Sequence, residues 1–126
     1  MIRKISNNNC DLLIFNKLKI KNFKIKRIFY LISKKKCIRG DHAHKKCSQF
    51  FFSLKGKIKI KIFDGKKITN KLIIPGKKGI LVKPMNWVQI YLNKNSTCMV
   101  LCDREYEKND YLRNKSLFLK KKSNNY

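Results

Sequence analysis

Arg39-Gly40-Asp41-His42-Ala43-His44-Lys45-Lys46-Cys47-Ser48-Gln49, continuing through Phe50-Phe51-Phe52-Ser53-Leu54-Lys55 to Gly56, is the stretch from which the rest of the chain is read. It holds both histidines of the protein. Successive side chains of an extended strand point to opposite faces, so His42 and His44 share one face and Ala43 takes the other. Two imidazoles on one wall suit proton transfer at neutral pH. The same spacing fits two half-exposed histidines at a strand edge, and the pattern alone leaves both open. After the pair, residues 49–54 form an apolar strand that Lys55-Gly56 turns.

Outward from this stretch the chain reads as short strands punctuated by turns. Upstream, residues 11–15 and 23–32 are expected strands. In the longer one Phe23, Ile25, Arg27 and Phe29 fall on one side and Lys24, Lys26, Ile28 and Tyr30 on the other, so either Arg27 or Tyr30 is a polar residue that could face inward. Lys34-Lys35-Lys36 reads as a solvated turn. Downstream, residues 58–63 and 68–74 flank Asp64-Gly65, a hairpin signal because such turns need positive φ. Pro75-Gly76 turns the chain again, residues 79–82 precede the Pro84 turn, and residues 87–92 and 97–102 complete the set around Asn93-Lys94-Asn95-Ser96. Strands at intervals of about ten residues with turn chemistry between them indicate an all-β, antiparallel sandwich or barrel. A helical turn or two is expected within residues 105–119, with a frayed basic tail over 120–126.

A chain of 126 residues supports one domain and one core. No run of about 18 apolar residues occurs and the first residues lack an apolar signal core, so a cytoplasmic protein without membrane insertion is expected. Five cysteines without a CxxC pair argue for free thiols over a disulfide framework or zinc knuckle. The net charge of +25 comes from 32 lysines and arginines against 7 acids. Lysine dominates and alternates with isoleucine in Lys57-Ile58-Lys59-Ile60-Lys61-Ile62, the mark of a solvated strand face. Specific nucleic-acid binding is therefore not expected, whereas attraction of small anions such as sugar nucleotides is.

The spacing His42-x-His44, Gln49, Gly56 resembles the first motif of the cupins, with Gln49 in place of their metal-binding glutamate. Gly79-Ile80-Leu81-Val82-Lys83-Pro84-Met85-Asn86-Trp87 resembles the second motif but lacks its histidine, offering Val88 and Gln89 instead. Two imidazoles with two amides are a poor set for a divalent cation, so no metal and no cofactor are expected, and the histidines are read as acid/base groups. More closely, residues 23–30, Arg39-Gly40-x-His42-Ala43-His44-Lys45, Gln49, the Asp64-Gly65 hairpin, Pro84-x-x-Trp87 and Tyr106-Glu107-x-x-Asp110-Tyr111-Leu112-Arg113 with Phe118 resemble, in order, the dTDP-sugar 3,4-ketoisomerases of bacterial surface-glycan biosynthesis.

That resemblance implies a single jelly-roll cupin barrel, a homodimer, and metal-independent conversion of a dTDP-linked 4-keto-6-deoxyhexose into its 3-keto isomer. It implies His42 and His44 as the proton-transfer pair, with Tyr30 orienting the reacting oxygens. Arg39, Arg27 and Lys45 would bind the sugar or pyrophosphate, Gln49 would hold a histidine tautomer or a hydroxyl, and Trp87 would flank the base or plug the barrel. A sugar-nucleotide epimerase and a non-catalytic ligand-binding cupin are the alternatives.

Overall fold

The computed structural model describes residues 2–16 and 20–124. Its first two strands, β1 (Ile2–Ser6) and β2 (Asp11–Phe15), form a hairpin, with Asn7 Oδ1 accepting from the backbone N–H groups of Asn9 and Cys10 in the turn. The main body is two antiparallel sheets. One has β3 (Arg27–Ile32), β10 (Thr97–Cys102), β5 (Gln49–Lys55) and β8 (Ile80–Val82) in that spatial order. The other runs β11 (Tyr111–Leu112), β4 (Cys37–His44), β9 (Trp87–Leu92), β6 (Ile58–Phe63) and β7 (Ile68–Ile73).

Alternation decides what lies between the sheets. Phe51, Val82, Cys98, Val100 and Cys102 from the first sheet meet Ile58, Ile60, Ile73, Val88, Ile90 and Leu92 from the second in one buried cluster. Full burial of a large aliphatic side chain contributes about 1.5–3 kcal/mol, so this apolar layer dominates the stability of the sandwich. On the outer face of the first sheet Phe52, Met99 and Leu101 are covered by Phe15 and Phe23. The Phe15 and Phe52 rings meet edge to face at 5.2 Å. Strand β10 is therefore apolar on both faces because both are covered.

Helix α1 (Lys115–Asn124) begins within the segment where a helical turn or two was expected and continues into the one where a frayed tail was expected. Asn114 Oδ1 accepts the N–H of Leu117 at its start, and Phe118, fully buried, packs against Trp87 at 5.6 Å. Lys115 Nζ adds a contact 5.2 Å from the Phe63 ring centre; residues 125–126 lie outside the described residues. Strand β3 starts at Arg27, four residues later than the alternating pattern suggested, and β1 was not foreseen.

Strand β4 carries a bulge. Its pairing with β9 runs Arg39↔Ile90 and Gly40↔Gln89, then shifts to His42↔Val88. Gly40 and Asp41 both take positive φ there. The extra residue puts Arg39 and His42, three apart and otherwise on opposite faces, on the same inward face. An added Cβ on Gly40 would sit 2.8 Å from the Val88 carbonyl oxygen, so the bulge admits only glycine without rearrangement.

Candidate active site

The bulge delivers His42 and His44 to the space between the sheets, with Ala43 packed on the opposite face against Trp87 and Leu112. The end of β4 is clamped from two sides. Met85 N–H donates to the His44 carbonyl at 2.7 Å, and Lys45 N–H donates to the Asp110 carbonyl at 2.9 Å. Tyr111 pairs with His44 across β11 and β4. Its ring lies 4.3 Å from that of His44 and 5.0 Å from that of His42, while the two imidazoles stand perpendicular at 5.0 Å.

His44, only 5% exposed, is oriented by a carboxylate. Its Nδ1 lies 2.9 Å from Asp110 Oδ2, and Asp110 is itself fixed by the backbone N–H groups of Lys46 at 2.7 Å and Cys47 at 3.3 Å. A carboxylate can only accept, so Nδ1 carries the proton and Nε2 keeps its lone pair. That Nε2 is buried and has no partner. Burial lowers the pKa of His44 while Asp110 opposes the shift; burial, the neighbouring His44 and Arg113 bring His42 down to about 4. For Asp110 burial acts upward, but the His44 and backbone donors prevail and hold it below the ordinary carboxylate range. Both imidazoles are thus neutral at pH 7, and His44, backed by Asp110, is the better base of the two.

His42 borders a cleft of about 390 Å³, lined also by Arg39, Gln49, Tyr111 and Arg113 among the apolar side chains Phe29, Leu31, Phe51 and Ile90, and His44 lies behind the rings of His42 and Tyr111. That volume suits a small ligand. Arg113 stacks 4.5 Å over Tyr111, and Arg27 reaches in from β3 to interact with Tyr111 and, at 3.5 Å, with Cys102 Sγ. A larger hollow of about 530 Å³ on the outer face, bounded by Phe15, Phe23, Ile25, Ile28, Met99 and Leu101, has no titratable side chain in its lining. Acid-base chemistry belongs to the first.

Of the residues picked out by sequence, Arg27, Arg39, His42, His44 and Gln49 come together here. Tyr30 does not. It is 55% exposed, because on an unbulged strand it must face opposite to Arg27 and points outward with Ile28 and Ile32. Trp87 is 4% exposed and lies under α1 against Phe118, its indole N–H donating to Asp41 Oδ1 at 3.1 Å; it seals an outer face and takes no part in the cleft. Lys45 is exposed beyond the end of β4 and outside the cleft lining. Gln49 holds no histidine tautomer; its Nε2 donates to Cys102 Sγ at 3.4 Å, and Asp110 performs that service for His44. The expected set of two imidazoles with two amides is also corrected, since a carboxylate and a thiol, Asp110 and Cys47, lie beside His44. Asp110, Tyr111 and Arg113 were seen in the sequence only as part of a string. The usable signal was scarcity, because each of 7 acids among 32 cations is a candidate for a specific partner.

The family model described as FdtA, WxcM-like, C-terminal, matches residues 1–123. The chain belongs to this family. It is 30% identical over 120 residues, 94% of its length and 86% of the relative's, to the TDP-4-oxo-6-deoxy-alpha-D-glucose-3,4-oxoisomerase of Aneurinibacillus thermoaerophilus. The solved structure of WlaRA, the TDP-fucose-3,4-ketoisomerase of Campylobacter jejuni, superposes with a TM-score of 0.80 at 31% identity, over 98% of this chain and 96% of that one. A point mutant of QdtA, a 3,4-ketoisomerase from Thermoanaerobacterium thermosaccharolyticum solved in complex with TDP-4-keto-6-deoxyglucose, shares the fold at TM-score 0.83 and 22% identity, over 99% and 92% of the two chains. The two-sheet architecture seen here is thus that of the family's 3,4-ketoisomerases, which are isomerases.

Proposed function

We propose that this protein is a sugar-nucleotide 3,4-ketoisomerase that converts a dTDP-linked 4-keto-6-deoxyhexose into the 3-keto isomer, with His44 and His42 moving the proton. The observation that carries the reading is the unpartnered, buried Nε2 of His44, set as an acceptor by Asp110, on a ring packed against His42 and Tyr111, which line an arginine-bearing cleft. A C–H next to a ketone is acidified because its electrons pass to an enolate oxygen. His44 Nε2 removes the C3 proton of the 4-ketose, leaving an enediolate with its charge on O4. The O3 hydroxyl proton passes to O4, and a proton delivered to C4, by the same imidazolium or through His42, leaves the carbonyl at C3 and a hydroxyl at C4. Arg27, whose charge acts on His44 and which interacts with the Tyr111 hydroxyl, stabilises the enediolate together with that hydroxyl. Arg39 and Arg113 bind the diphosphate, for which the fixed charge and fork geometry of guanidinium are suited.

The bases work as neutral imidazoles, and the burial that lowers their pKa values keeps them so. The assembly proposed is a homodimer, supported by Ile28, Tyr30 and Ile32 exposed in a row on the edge strand β3. Turnover of TDP-4-keto-6-deoxyglucose by His44→Asn and His42→Asn variants tests the assignment. A loss of at least about a hundredfold in kcat for His44→Asn is expected, with a smaller loss for His42→Asn; wild-type rates in both would contradict it.

A further inference from the structure

Beside His44 the structure gathers metal-ligating side chains that the isomerisation does not require as a set. The ligand atoms of His44, Cys47 and Asp110 all lie within 4.8 Å of one another, and all three residues are buried. The Cys47 thiol in turn interacts with that of Cys102, which is itself fully buried. One imidazole, one carboxylate and two thiols are the donor types of tetrahedral zinc sites. Ligands around such an ion stand about 3.5 Å apart given its bond lengths. Bringing the ligand atoms of His44, Cys47 and Asp110 to that spacing asks for a shift of about an ångström, and Cys47 lies in the non-strand segment 45–48, the part best able to supply it.

We propose that His44, Asp110, Cys47 and Cys102 bind a thiophilic divalent cation of the zinc class, and that its binding switches off the isomerase base. The cation takes Nδ1 of His44, the nitrogen now facing Asp110, and the proton of that nitrogen must then reside on Nε2. Nε2 becomes a donor and can no longer accept the substrate's proton. The thiol protons leave to solvent as the thiolates bind. Two donors already point at the Cys102 sulfur, Gln49 Nε2 at 3.4 Å and Arg27 at 3.5 Å. Arg27, 3.5 Å from Cys102 Sγ, also sets the selectivity. A hard oxygen-seeking cation such as Mg²⁺ gains nothing from thiolates and is repelled by the guanidinium, whereas zinc, cadmium or cobalt gains two sulfur bonds. The binding half of the proposal is independent of the reaction; the switching half rests on the isomerase reading above.

The test is titration of the metal-free full chain with Co²⁺, followed by absorption. One equivalent is expected to give d–d bands of tetrahedral intensity and a thiolate-to-cobalt charge-transfer band, displaced by Zn²⁺ and unaffected by Mg²⁺. Cys47→Ala and Cys47→Ser should both lose the charge-transfer band of this site, whereas Cys98→Ala, a buried thiol outside the cluster, should keep it. In turnover assays Zn²⁺ should lower the wild-type rate at least about tenfold, reversibly with a chelator, and leave Cys47→Ala active. Absence of the band from the wild type, or its persistence in both Cys47 variants, overturns the site. A band without inhibition overturns the switch. A chain that does not isomerise even when metal-free overturns the isomerase reading, and the cobalt spectrum still decides the site.

Discussion

Asp110 bears more of the chemistry than its place near the end of the chain suggests. Three donors converge on its carboxylate, His44 Nδ1 and the N–H groups of Lys46 and Cys47, and its single function toward the reaction is to set which nitrogen of His44 is basic. Asp110→Asn is expected to let the tautomer swap and to lower kcat about 10–100-fold with a smaller change in KM; ¹⁵N NMR of His44 should show the proton leaving Nδ1. Acid should weaken the protein through the same cluster. His42 has a folded pKa of about 4, below the ordinary 6.5, so the unfolded chain binds more protons between those values. Stability is therefore full above pH 6.5 and falls as the pH drops toward 4, by on the order of 2 kcal/mol between pH 7 and 5. Denaturant midpoints at the two pH values measure this, and His42→Gln should flatten the difference. For the same reason the acid limb of kcat/KM should lie below the pKa of free imidazole.

At the scale of elements, strands β3 and β4 make an instructive pair. Arg27 and Tyr30 are three apart on a regular strand and end on opposite faces; Arg39 and His42 are three apart across a bulge and share one. Period-two reading foresaw the shared face of His42 and His44, and it forced Arg27 and Tyr30 apart once either was known to point inward. It gave no warning of the bulge, although Gly40-Asp41 supplied the positive-φ residues a bulge needs. Gly40→Ala should cost about 1–3 kcal/mol through strain and the 2.8 Å approach to Val88. By pulling Arg39 from the cleft it should also raise KM more than it lowers kcat. Helix α1 runs beyond the turn or two expected within 105–119 although its own sequence carries little apolar periodicity, because tertiary contacts hold it, chiefly Phe118 under Trp87 with Lys115 over Phe63. Phe118→Ala should lose about 3–5 kcal/mol, read as a lowered denaturant midpoint, with kcat retained in the folded fraction because neither ring touches the cleft.

For the whole molecule, strand spacing and turn chemistry were enough to read an all-β antiparallel fold, since each hairpin is a local event. The assembly of the site is not local. His44 and Asp110 are 66 residues apart, and Arg27 and Cys102 are 75 apart; both contacts arise from pairing of strands remote in sequence, β11 with β4 and β3 with β10, and are invisible to periodicity. The basic surface is legible as composition, and the cleft concentrates it, with Arg39 and Arg113 but no carboxylate in its lining. Among the described residues no helix is long and apolar enough to cross a membrane. Light scattering on the purified chain should give twice the mass of 15.0 kDa, and Ile28→Lys with Ile32→Lys should return it to one.

Proton movement between C3 and C4 is the core of the mechanism, and NMR of TDP-4-keto-6-deoxyglucose incubated with the protein in D₂O observes it directly. The 3-keto product should appear carrying solvent deuterium at C4, and His44→Asn should suppress both product and label. Substrate recovered unchanged and unlabelled, under conditions where TDP binding is demonstrated, would mean that the cleft holds a sugar nucleotide without acting on it.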